Sequence, residues 1–161
     1  MEKIEKVIKV LQNRDGQRYS ICGFIDPTNP KRNVAYAPDE YSYPAYENSY
    51  LYAFDTVLNA LRCARENGWT EYCEIFSGDI EVEVWEADAV IVEEYPITRG
   101  IGIMLEPFWK DYSTFHGIYT TFGTPEGSLG CSKIKPTKLI CVITEDNFDE
   151  IFKEYMDATR A

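Results

Sequence analysis

The sequence predicts an α+β fold, a single domain over residues 1–161 whose mainly antiparallel sheet is packed by two helices, about 56–67 and 145–158, with long ordered loops. Three observations predict it. Apolar residues recur at helical spacing in two segments, Val and Glu alternate from residue 80 onward as in a half-buried strand, and 161 residues suit one core rather than two.

Taken in order, Ile4, Val7, Ile8 and Leu11 fit a helical face, but the segment runs through an Asp15-Gly16 turn signal into the β-rich RYSICGFI, which favours a hairpin. From Asp26 to Tyr50 four prolines and five tyrosines (36, 41, 43, 46, 50) predict a long ordered loop pinned to the surface by its rings. The first helix places Val57, Leu58, Leu61 and Ala64 on one face, with Asp55 as N-cap and Gly68 as its stop. Strands are expected at 72–76, 80–86 and 89–95, where Val82 and Val84 alternate with Glu81, Glu83 and Glu86, giving one apolar and one acidic face. A thirty-residue aromatic stretch, 106–136, has weak periodicity and reads as a functional loop. KLICVI (138–143) reads as an interior strand feeding the last helix, whose buried stripe is Phe148, Ile151, Phe152, Tyr155 and Met156.

Sixteen Lys and Arg against twenty-seven Asp and Glu leave a net charge of −11, which repels nucleic-acid backbones and anionic lipid. Direct nucleic-acid and membrane binding are therefore not expected. The surplus is concentrated in the second half, −8 over residues 81–161 against −3 over residues 1–80. No apolar run reaches the length of a membrane span and no signal-peptide core opens the chain, so a cytoplasmic protein is expected. Five cysteines without a CxxC pair read as reduced, mostly buried thiols. With one histidine and no short cysteine spacing, no metal site and no cofactor are implied.

Two functional readings follow. From Glu71 to Glu94 nine acidic residues occur without a Lys or Arg, so these charges have no local partner. The first reading is an acidic protein-binding module that meets a basic protein, such as a phage or mobile-element inhibitor filling a nucleic-acid- or nucleotide-binding cleft. Its contacts would be Glu81, Glu83, Glu86, Glu93 and Glu94, with Tyr41, Tyr43 and Tyr46 as aromatic support, since rigid rings bind at low entropic cost.

The second reading is an enzyme or small-ligand binder. His116, in STFHGIYTTFG, would act as general base or hold a planar ligand, within a pocket shared with Trp109, Tyr119 and Glu126. Its structural alternative is an ordinary core or surface histidine. The Phe115-His116-Gly117 triplet resembles the motif with which one class of ADP-ribosyltransferases holds nicotinamide. Those enzymes place it near the domain start, with a Tyr and then a Glu far downstream. Here forty-five residues follow His116, and that family is not assigned. No nucleophile elbow and no phosphate-binding loop with its Lys is present. The oligomeric state is left open by the residues.

Overall fold

A computed structural model describes residues 2–20, 34–44, 50–67, 80–94, 97–100, 120–123, 127–144 and 146–160. Its strands are β1 (Glu5–Arg14), β2 (Gln17–Ser20), β3 (Ala35–Tyr36), β4 (Leu51–Phe54), β5 (Ile80–Glu94), β6 (Ile97–Gly100), β7 (Thr120–Gly123) and β8 (Ser128–Ile143). Its helices are α1 (Val57–Asn67) and α2 (Phe148–Arg160). Among the described residues the architecture is mainly antiparallel sheet with two helices, and the sheet dominates.

The six-stranded sheet runs β3-β2-β1-β4-β8-β5, and β5 pairs again with β1, so β1, β4, β8 and β5 close into a ring. The closure is uneven. β1 and β5 pair over ten positions, from Glu5 opposite Ala89 to Arg14 opposite Ile80, whereas β1 meets β4 in register only at Ile8 and Phe54. β6 and β7 form a separate two-stranded ladder.

Local chemistry starts the ring. Asp15 and Gly16 take positive φ of 52° and 89°, the two-residue hairpin geometry that Asp-Gly favours, and the Gly16 N–H donates to Asn13 Oδ1 at 2.8 Å. The expected hairpin is present, with Val7 to Gln12 buried throughout.

Ring closure gives the sheet two cores rather than one. Inside lie Val7, Leu11, Tyr36, Leu51, Ala53, Trp85, Ala87, Ala89, Leu129, Cys131 and Ile134. Outside, Ile8, Val10, Val82, Val84 and Ile143 pack against Ala60 and Leu61 of α1 and Phe152 of α2. Truncating a fully buried leucine such as Leu61 to alanine costs about 2–5 kcal/mol, because the cavity adds to the lost transfer energy.

Several sequence expectations are corrected here. The strands expected at 80–86 and 89–95 are one fifteen-residue strand. The weakly patterned stretch 106–136 ends in strand, because Ser128–Pro136 belongs to the sixteen-residue β8. The β5–β8 ladder shifts register at four places, passing over Ile140, Thr137 and Ser132 on β8 and Val92 on β5. These bulges bend both strands round the ring, and one lies beside Pro136, which cannot donate to a ladder. The skipped Thr137 bonds instead through its hydroxyl, donating to the Glu86 carbonyl at 3.1 Å.

The first helix is capped by Thr56, not Asp55: the Asn59 N–H donates to Thr56 Oγ1 at 3.1 Å, while Asp55 Oδ1 accepts from the Asn59 amide at 2.8 Å. α2 begins at Phe148 rather than 145. Thr144 and Asn147 exchange backbone-to-side-chain hydrogen bonds of 2.7 and 3.2 Å, which cap the helix where it starts. The expected stripe of Phe148, Ile151, Phe152, Tyr155 and Met156 does face the core. Within the tyrosine loop, Ala35–Tyr36 is a short strand, and Ser42 bridges Ile134, covering an edge of β8 that β4 leaves free. The expected strand at 72–76 and the Gly68 stop lie outside the described residues.

Candidate protein-binding surfaces

The expected acidic face divides into three environments. Glu83 is turned inward and 3% exposed, so it is not part of a surface. Its Oε1 accepts from Arg18 Nε at 2.7 Å and from Trp85 Nε1 at 3.0 Å, and its Oε2 accepts from the Asn13 amide at 3.2 Å. The Arg18 guanidinium also lies 5.5 Å from the Trp85 ring centroid. Burial opposes ionisation of Glu83, but donation from Arg18, Trp85 and Asn13 outweighs it and holds the carboxyl below its ordinary range.

Glu86 belongs to the second environment. Lys6 Nζ lies 2.6 Å from Asp88 Oδ1 and 3.9 Å from Glu86 Oε1, and Lys135 Nζ approaches Asp88 Oδ2 at 3.9 Å. Lys133 Nζ meets Glu2 Oε2 at 2.9 Å. The Tyr41 ring lies 4.5 Å from Lys133 Nζ and 4.9 Å from Lys135 Nζ. Tyr43, 60% exposed, flanks the same Lys133. The fold therefore brings Tyr41, Tyr43 and Glu86 onto one outward wall of β1, β5 and β8. Hydrogen bonding to Asp88 raises the Lys6 pKa, and bonding to Glu2 raises that of Lys133. Solvent screens pairs this exposed, so they set the charge pattern more than the stability. The expectation that these acids lack partners is corrected, because cations arrive from neighbouring strands rather than from the same segment.

Glu81 is the third case, exposed at the end of the sheet where Val82 pairs with Ile143 and the chain passes towards α2. Along α2 and the turn before it runs a separate acidic stripe that sequence reasoning missed. Asp146, Asp149, Glu150, Glu154 and Asp157 are all exposed, and among the described residues none is in an ion pair. Their spacing of three and four residues was visible in the sequence. Asp149 and Glu150 have a structural role, since negative charge in the first helical turn complements the helix dipole. Glu154 and Asp157 have no such role. Glu93 and Glu94 pair with Gly130 and Leu129 through their backbones. Their side chains, and Tyr46, Trp109, His116, Tyr119 and Glu126, lie outside the described residues.

The ring interior carries one further charge. Lys9, 4% exposed, donates to the Tyr52 carbonyl at 2.6 Å and lies 5.1 Å from the Tyr36 ring centroid, spanning the β1–β4 seam where registered pairing is sparse. Near it, burial pushes the Cys131 thiol up to about 12. Among the described residues no three His, Cys, Asp or Glu side chains are grouped to hold a metal, and no helix is long and apolar enough to cross a membrane. No family model, curated protein or solved structure matches the chain.

Proposed function

We propose that this protein is an acidic protein-binding module that inhibits a basic partner by filling its nucleic-acid- or nucleotide-binding cleft. The supporting observation is the contrast between paired and unpaired acids. Glu83, Glu86 and Asp88 are matched by Arg18 and Lys6, while Glu81, Glu154 and Asp157 are exposed and outside every ion pair among the described residues. Unneutralised carboxylates on rigid elements raise the local negative potential and steer a basic surface towards them.

The test is affinity capture by the full chain and by the Glu81→Lys/Glu154→Lys/Asp157→Lys variant, at low and high salt. A basic protein should be retained by the wild type at low salt, released at high salt, and not retained by the variant, because exposed charges are screened within about 8 Å at physiological ionic strength. Equal retention by both chains, or none, removes the reading.

A further inference from the structure

Asn13 uses both ends of its side-chain amide. Its Nδ2 donates to Glu83 Oε2 at 3.2 Å, and its Oδ1 accepts from the Gly16 N–H at 2.8 Å. An ionised carboxylate only accepts, so buried Glu83 fixes the amide with its NH2 inward and leaves Oδ1 facing the turn. The turn is itself chemically reactive. Asp15 is exposed, and its carboxyl is in no hydrogen bond or ion pair among the described residues. Gly16 beside it is exposed too, and nothing lies within 4 Å of where a Cβ would stand. The backbone nitrogen of Gly16 therefore meets no steric opposition on its way to the neighbouring side chain.

We propose that Asp15-Gly16 is a self-modification site that converts to isoaspartate, and that Asn13, oriented by Glu83, holds it unreactive in the folded protein. The Gly16 nitrogen attacks Cγ of Asp15, the new N–Cγ bond closes a succinimide ring, and the amide proton leaves with the carboxyl hydroxyl as water. A second water then opens the ring. Cleavage between nitrogen and Cγ restores aspartate, whereas cleavage between nitrogen and the α-carbonyl carbon leaves the chain running through Cγ as isoaspartate. Attack requires the nitrogen to turn towards the carboxyl and give up its proton, and donation of that same N–H to Asn13 opposes both steps. Isoaspartate adds a methylene to the backbone of a two-residue turn, so the pairings of Asn13 with Arg18 and Arg14 with Gln17 lose the turn that sets their register. Arg18 is also the cation of Glu83, which carries the change from an exposed turn into the ring. The site thus records time spent with the hairpin open. This inference is independent of the acidic surface assigned to a basic partner.

Peptide mapping of the purified full chain after prolonged incubation at neutral pH tests it, with chromatography separating the two forms of the peptide bearing residue 15, since isomerisation leaves its mass unchanged. The folded wild type, folded Asn13→Ala and the wild type unfolded in urea are compared. The folded wild type should form isoaspartate about tenfold more slowly than Asn13→Ala, the equilibrium weight of one ordinary hydrogen bond, and the unfolded chain should form it fastest. Amide hydrogen exchange of Gly16 in the wild type, read by NMR, keeps the test independent of whether Asn13→Ala folds. That amide should be protected about tenfold relative to the unfolded chain. A Gly16 amide that exchanges at the unfolded rate overturns the proposal. So does a folded Asn13→Ala as slow as the wild type, or an unfolded chain that forms no isoaspartate at residue 15.

Discussion

Arg18 and Glu83 are sixty-five residues apart in the chain and 2.7 Å apart in the fold, a charge pair on the inward side of the ring. Arg18→Ala should destabilise the protein by about 3 kcal/mol, because it leaves a buried carboxylate short of its cation. Arg18→Met with Glu83→Leu should recover much of that loss. Urea titration of the three chains measures both effects.

The same pair makes stability depend on acid. Because the folded Glu83 titrates below its ordinary value of 4.5, its contribution is present above that pH and is lost as pH falls through the lower folded value. Urea midpoints for Glu83→Gln should be lower than wild type at neutral pH and vary less with pH below 4.5. Parallel curves for the two chains would show that other carboxylates govern the acid limb.

Lys9 closes the weakest seam of the ring. Lys9→Met removes the donor to the Tyr52 carbonyl and should cost about 1–3 kcal/mol. Amides of Leu51–Phe54 should then exchange faster than those of β5, because the opening is local. Hydrogen exchange read by mass spectrometry distinguishes this from a uniform loss of protection.

Gly127 sits at φ 81°, and a Cβ there would meet the Asp55 carboxylate and the Asn59 side chain at the start of α1. Gly127→Ala should therefore destabilise by about 2 kcal/mol or more, from the unfavourable φ and the contact together. Gly16→Ala, where φ is 89° but the space is open, isolates the backbone share, and a thermal melt of each ranks them.

Cys131 should resist alkylation in the folded protein, since its thiol is buried and its pKa stands near 12. Peptide mapping after iodoacetamide at mildly alkaline pH should find Cys131 unmodified until denaturant is added. Labelling without denaturant would mean that the ring opens readily.

What the sequence made legible was local. The Asp15-Gly16 hairpin and the two helices follow from φ preferences and apolar spacing that need no distant residue. Glu83 was misread because alternation with Val82 and Val84 describes a sheet with one wet face. Here the ring interior buries one side of β5 and the helices bury part of the other. Its partner Arg18 lies on a strand that sequence proximity could not nominate. Ser128 to Pro136 looked like loop because Gly130 and Pro136 are poor strand formers, and tertiary pairing overrode that preference. The wall bearing Tyr41, Tyr43 and Glu86 combines residues named in advance with lysines from β1 and β8 that no local pattern joined to them.

Ring closure through the β1–β5 ladder has a consequence for biosynthesis. During translation β1 emerges before the other described strands, yet its ten-residue partner surface begins only at Ile80, and the circuit of strands is incomplete until β8 has left the ribosome. Such long-range pairing folds slowly, since chain-closure entropy is lost before the contacts compensate for it. Until then the nascent chain holds Val7, Val10 and Leu11 without their final cover, and this interval is when it most needs a chaperone.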